Sequence, residues 1–308
     1  MNAPTLKSSA SSIEQLKQQL QTIKEANDQK WVNNLIDRKI KEIEYSDIYH
    51  GTADSEGQWT SHKAAEHSED QNVVKHRNFY TGAIISDKFI NGWIHQHAPN
   101  KIFLDYACGN GLLAIQAAKA GATLAIGIDL SGQSIANAAA VAAKEGVSHN
   151  TFFLQADAEN TQLPAQSIDT VVCAGMLHHV DLSYAFPELR RILKPGGRIL
   201  AAEALDYNPI IKLYRNLTPG IRTAWEKDHI LSLKDVRFGK RFFQLEEIRY
   251  WHLTSILTPY APALLPAFNA IDRILTKIPL VRLMAWMFTF EFVKPLDENT
   301  STESESPF

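Results

Sequence analysis

The stretch Lys101–Ala114, KIFLDYACGNGLLA, decides how the chain is read. Its first half is an apolar run of strand length, its centre is a turn with two glycines, and its end is rich in Leu and Ala, which favour helix. A strand, a tight glycine turn and a helix in that order open a βαβ unit, whose ligand lies beyond the C-terminal end of the strand. Gly109–Ala114 fits G-x-G-x-x-A, the spacing that usually announces a dinucleotide. Yet Asp105 stands just before the turn, where a fixed carboxylate repels a pyrophosphate and suits a cation.

Outward from this turn the same alternation continues. Ala122–Asp129 reads as a second strand and Ser134–Glu145 as a helix. Thr151–Gln155 gives a third strand and Ile168–Leu177 a fourth. Tyr184–Leu193 reads as a helix, and Lys194–Gly197 (KPGG) as a turn before a fifth strand, Arg198–Leu205. Phe79–His95 forms a helix ahead of the first strand. Strands alternating with short helices imply an α/β fold, with a parallel, doubly wound, Rossmann-like sheet. Asp129 ends the second strand, where a carboxylate accepts from ribose hydroxyls. NAD and S-adenosylmethionine are both served to this point. Asp157-Ala158 then follows strand three, placing an acidic group for an adenine amino group. Tyr106-Ala107-Cys108 separates strand from glycines, unlike the usual NAD fingerprint.

The series LDYACGNG, IGIDLS, LQADAENTQLP, IDTVVCAGMLHHV and ELRRILKPGGRIL resembles the class I S-adenosylmethionine-dependent methyltransferases over about residues 76–205. Within them it is most similar to the branch holding the ubiquinone and menaquinone biosynthesis enzymes. The resemblance implies a seven-stranded sheet with an antiparallel last strand, here supplied near Trp286–Val293. It also implies roles for matching positions. Asp105, Ala107, Gly109 and Gly111 would line the methionine part of the cofactor, and Asp129 would hold its ribose. Leu130, Asp157 and Ala158 would flank the adenine, Ala174 would pass near the cofactor, and Tyr80 would close over it. Ala107 stands where the family often has glycine, and alanine tolerates positive φ poorly, so ordinary dihedrals are expected there.

His178-His179, just past strand four, are candidate general bases, since imidazole titrates near neutrality. Glu203, ending strand five, is a third catalytic candidate. Tyr207, Tyr214, Arg215, Arg222 and His229 fall where the family builds its acceptor pocket. The arginines, with Arg237, Lys240 and Arg241, would suit an anionic headgroup. The expected activity is methyl transfer to oxygen or carbon of a small apolar metabolite of quinone, polyketide, lipid or isoprenoid type. C-methylation of a prenyl diphosphate, which magnesium dependence of turnover would favour, is one alternative. An NAD-dependent oxidoreductase and a non-catalytic cofactor-binding subunit are two more.

The flanks are less regular. Residues 11–43 carry a helical apolar stripe. Tyr45–Asp70 is polar and reads as a loop, and its histidines match no zinc spacing, so no metal is expected. The domain reading is an N-terminal extension over 1–75 (lid or dimer contact), a methyltransferase domain over 76–296, and a disordered acidic tail over 297–308. The uncharged run Leu253–Ile271 opens an apolar insertion, 253–283, whose prolines break a spanning helix. It reads as a lid, a subunit interface of a homodimer, or a peripheral membrane contact. The chain has 308 residues, 45% hydrophobic and 21% charged, with a formal charge of -3 and no basic run. Nucleic acid is therefore a poor partner. Two cysteines, Cys108 and Cys173, and no signal-like N-terminus point to a cytoplasmic protein.

Overall fold

A computed structural model describes residues 5–50, 84–217, 223–258 and 260–296. Tyr80 and Arg222 fall outside these, as does the side chain of Tyr214. Three helices come first: α1 (Thr5–Ala26), α2 (Gln29–Asn33) and α3 (Asp37–His50). Then follow α4 (Ile84–His97), β1 (Ile102–Tyr106), α5 (Leu112–Lys119), β2 (Leu124–Asp129), α6 (Gly132–Lys144), β3 (Thr151–Gln155) and β4 (Ile168–Ala174). A 3₁₀ turn over Leu177–His179 leads to α7 (Leu182–Ile192) and β5 (Leu193–Ala204). The chain continues through α8 (Pro209–Leu217), α9 (Ala224–Asp228), α10 (Leu233–Gly239), β6 (Gln244–Trp251), α11 (Leu265–Leu275) and β7 (Met287–Val293).

The seven strands form one sheet in the order β3-β2-β1-β4-β5-β7-β6. β7 is inserted antiparallel between β5 and β6, and the pairings from β3 through β5 are parallel. Alternate residues on each strand face opposite layers, so the sheet is apolar on both sides. Phe103, Ala125, Phe153 and Val172 meet α4, α5 and α6 on one side; Leu104, Ile126, Leu154 and Val171 meet α1 and α7 on the other.

Three expectations change. The 11–43 stripe is three helices rather than one: Asp28 caps α2 by accepting from the N–H groups of Lys30 and Trp31, and so restarts the chain in a new direction. Tyr45–His50, expected as loop, is the last part of α3. KPGG is not a turn before β5 but a bulge within it: Leu193 pairs with Ile168 and Arg198 with Thr170, while Gly196 takes φ 75°.

The insertion folds as short 3₁₀ turns and α11. Asp272 holds it together by accepting from the backbone N–H of Thr254 at 2.7 Å and the Ser255 hydroxyl at 2.7 Å. No helix among the described residues is long and apolar enough to cross a membrane.

Candidate active site

A cavity of about 330 Å³ opens at the C-terminal ends of β1, β2 and β4, where a doubly wound sheet places its ligands. Its walls come from three sources. Ile128, Asp129, Leu130, Ala156 and Ala158 form one side, and Ala107 the floor of the first loop. Ala174, Gly175, Met176, His178, His179 and Val180 form the other side. Helices α3 and α9 supply Glu42, Tyr45, Ser46 and Glu226.

Asp129 is buried at the tip of β2. One carboxylate oxygen accepts from the Gly109 N–H at 2.8 Å and the other from the Ser131 N–H at 2.9 Å. The two bonds fix the first glycine loop against the second strand and hold the carboxylate at the cavity wall. A carboxylate oxygen accepts more than one donor, and this carboxylate lines the cavity where a ribose diol would meet it. The apolar slot of Ile128, Leu130, Ala156 and Ala158 beside it suits an adenine ring. Taken together, this donor and acceptor set fits an adenosine ligand.

Asp105 plays a different part from the one expected. Its carboxylate is directed into the start of α5 and accepts from the Ala114 N–H at 3.0 Å; it does not line the cavity. Burial pushes its pKa up to about 7, against the pull of that backbone hydrogen bond and helped by the nearby Asp129 charge. The folded protein thus holds a proton here that the unfolded chain has lost. The resulting stability is full below about pH 4 and disappears as pH rises through about 7. Urea unfolding of ligand-free protein at pH 5 and pH 8 should show wild type losing about 2–3 kcal/mol more over that interval than Asp105→Asn. Parallel losses would contradict the shift.

The glycine loop is also built differently in detail. Ala107 takes φ 59°, contrary to the ordinary dihedrals expected of alanine, and its neighbours Gly109 and Gly111 take 48° and 77°. The Cys108 N–H, donated to the Ile128 carbonyl at 2.7 Å, and Gly109 on Asp129 pin the loop on both sides of β2 and so impose the strained conformer. Ala107→Gly should therefore stabilise the fold by about 1 kcal/mol, read as a rise in the urea midpoint. Gly111 is required by packing as well as by its dihedral: an added Cβ would sit 2.7 Å from the Ala138 Cβ and 2.7 Å from Phe153 Cε1. Its free side faces its own domain rather than a ligand.

Two imidazole–carboxylate pairs stand side by side. His178 Nδ1 lies 2.6 Å from Glu203 Oε2, and His179 Nδ1 lies 2.8 Å from Glu42 Oε2, with the rings 4.2 Å apart. Glu203 is fully buried and off the cavity wall. Its Oε1 accepts from the N–H groups of Met176 at 2.9 Å and Leu177 at 2.7 Å. It therefore shapes the turn after β4 and orients His178 instead of meeting a ligand. An acceptor fixed in this way takes the Nδ1 proton and leaves Nε2 as the basic nitrogen of His178.

The remaining expected residues are placed as follows. Asp157 is off the wall: Lys39 engages one oxygen and the Glu159 N–H the other at 2.9 Å. Tyr207 accepts from the Leu233 N–H at 3.2 Å, and Arg215 faces Asp206 at 3.5 Å. His229 stacks on Trp225 with ring centres 3.7 Å apart and lines a neighbouring cavity. None of these lines the main cavity.

Sequence reasoning missed the site residues of α3, and Gly175. Helical spacing sets Arg38, Glu42 and Tyr45 on one face of α3. Arg38 reaches Glu159 at 2.5 Å and the His179 carbonyl at 3.0 Å, while Lys39 reaches Glu159 at 2.8 Å. Burial alone would raise the Glu159 carboxyl, but the Asp181 N–H, Lys39 and Arg38 outweigh it and hold it below its usual range. This cluster clamps α3 over the cavity. Gly175 takes φ 63° at the cavity wall, with nothing within 4 Å of where a Cβ would stand.

Comparison with known proteins agrees with this layout. The family model described as Methyltransferase domain matches residues 103–197. The ubiquinone biosynthesis O-methyltransferase of Pseudomonas putida is 30% identical over 167 residues, 47% of this chain and 71% of that protein. The ribosomal protein L11 methyltransferase of Photobacterium profundum is 30% identical over 129 residues, 42% of each chain. The chain thus spans about two fifths of that relative's length. Among solved structures, geranyl diphosphate C-methyltransferase from Streptomyces coelicolor aligns with a TM-score of 0.55 at 15% identity, over 84% of this chain and 98% of that one. That likeness is one of fold. With the adenosine-shaped wall at Asp129 and the strand order observed, the chain belongs to the class I S-adenosylmethionine-dependent methyltransferases.

Proposed function

We propose that the protein transfers a methyl group to a hydroxyl oxygen of a small, largely apolar metabolite, with His178 as general base. The observation that carries this reading is the His178–Glu203 pair, whose ring lines the same cavity as Asp129. When bound, S-adenosylmethionine supplies the methyl from its sulfonium and departs as a neutral thioether. Asp129 would hold the ribose, and Ile128, Leu130, Ala156 and Ala158 the adenine.

The protein's own share is alignment and proton removal. An acceptor held against the turn after β4 would have its hydroxyl proton taken at His178 Nε2, which would leave the oxygen lone pair available to the methyl that the bound sulfonium would supply. Glu203 keeps the ring in the productive tautomer and stabilises the imidazolium that forms. Helix α3, clamped through Arg38 and Lys39, keeps water from the reacting groups. Holding acceptor and donor in line supplies several kcal/mol of the barrier reduction.

The test is transfer of labelled methyl from S-adenosylmethionine to 4-heptylcatechol, followed by solvent extraction and mass analysis. The expected product is a mono-O-methyl ether whose formation requires enzyme. Absence of transfer to catechol, naphthol and hydroxyquinone acceptors alike, or label found on carbon, would overturn the oxygen assignment.

A further inference from the structure

We infer that Glu42 and Glu226 form a hydrogen-bond-accepting edge of the cavity that selects a hydroxylated, non-anionic acceptor head group and turns away phosphorylated ones. The inference rests on the methyltransferase reading above and narrows its substrate class. Both residues lie outside the 103–197 methyltransferase segment, one on α3 and one on α9, and both are buried while lining the cavity.

The two helices are locked to each other and to the base. The Arg38 guanidinium lies 4.4 Å from the centre of the Trp225 ring, one residue before Glu226. The same arginine donates to the His179 carbonyl at 3.0 Å. Glu42 Oε2 meets His179 Nδ1 at 2.8 Å, and the His179 ring is 4.2 Å from that of His178. Glu42 therefore stands one imidazole away from the nitrogen that takes the acceptor's proton. Its second oxygen, Oε1, is buried without a hydrogen-bond partner. A buried carboxylate oxygen left without a donor is costly, and such groups recur where a ligand completes the set.

Charge points the same way. The ionisable side chains along the cavity are Glu42, Tyr45, Asp129, Glu226, His178 and His179, and among the described lining residues none is Lys or Arg. Among the described residues, Arg38 and Lys39 are committed to Glu159 and Arg215 to Asp206. A diphosphate set among three carboxylates meets repulsion that a low-dielectric pocket strengthens. A phenol or alcohol, by contrast, brings the donor that Glu42 Oε1 lacks.

Titration calorimetry on protein saturated with S-adenosylhomocysteine tests this with three probes: 4-heptylcatechol, its di-O-methyl ether and geranyl diphosphate with magnesium. Wild type should bind the catechol about tenfold tighter than either other probe. Glu42→Gln should reduce that preference to about threefold or less, over the ether by weakening the catechol and over the diphosphate also by relieving repulsion. Should Glu42→Gln lose S-adenosylhomocysteine binding through misfolding, Glu226→Gln provides the same comparison. Equal affinity for catechol and ether, tighter binding of the diphosphate, no binding of the catechol, or an unchanged preference in both variants would each overturn the inference. Failure of wild type to bind S-adenosylhomocysteine at all would instead overturn the cofactor reading on which it rests.

Discussion

His178→Ala should lower labelled-methyl turnover on 4-heptylcatechol by about 10²–10⁴-fold while leaving affinity for S-adenosylhomocysteine within about twofold. The size follows from losing the group that accepts the hydroxyl proton. The selectivity for turnover follows from its place on the β4 side of the cavity, across from Asp129. Glu203→Gln separates orientation from mere structure. The glutamine oxygen can still accept from Met176 and Leu177, but its amide would face His178 Nδ1 as a donor and force the proton onto Nε2. Turnover should then fall about 10²-fold with the fold intact, and the alkaline plateau of the pH–rate profile should be lost. A variant with normal turnover would reduce Glu203 to a loop support, and normal turnover of His178→Ala would remove the base.

Asp129→Ala should weaken S-adenosylhomocysteine binding by about 100-fold by calorimetry. Two charge-assisted hydrogen bonds to a ribose diol account for a loss of this order. Part of it arises indirectly, because the Gly109 and Ser131 N–H groups lose their acceptor and the first loop slackens. Asp129→Asn keeps one acceptor and should lose about tenfold. If both variants bind as wild type does, the ribose is not at the tip of β2.

The alternation of strands and helices was legible because the inner strands β1, β2 and β4 are largely buried and the turns around them carry glycine, as at Gly109, Gly111 and Gly121, or a helix cap, as at Ser131 and Asp181. The sheet order past β5 required the resemblance, since the antiparallel placement of β7 depends on pairings distant in sequence. At the site, Asp129, Leu130, Ala158, Ala174, Ala107 and both histidines stand on the cavity wall because the strand tips put them there. Asp105 and Glu203 were visible as acidic residues at strand ends. Their inward turn, onto the Ala114 N–H and onto Met176 and Leu177, was not, because it depends on which face of the strand meets the sheet's neighbouring layer.

The acceptor side was the least legible. Tyr207, Arg215 and His229 carry suitable chemistry, but each meets a partner outside the main cavity: the Leu233 N–H, Asp206 and the Trp225 carbonyl. The residues that do face the cavity, Glu42 and Glu226, sit in helices whose sequences show no motif. The polar stripe Arg38, Glu42, Tyr45 was the available signal, and it was masked by treating the segment as an apolar helix running into a loop. Exposed aliphatic side chains along α8 and α11, Ile210, Leu213, Leu217, Ile271 and Ile274, show that the apolar surplus of this region lies at the surface and not in the core.

The most direct test is a crystal structure with S-adenosylhomocysteine bound. The account predicts both ribose hydroxyls on the Asp129 carboxylate, adenine between Leu130 and Ala158, and the sulfur turned toward the His178–His179 turn beneath α3. Adenosine bound away from β2, or a sulfur facing the side of the sheet opposite His178, would contradict it.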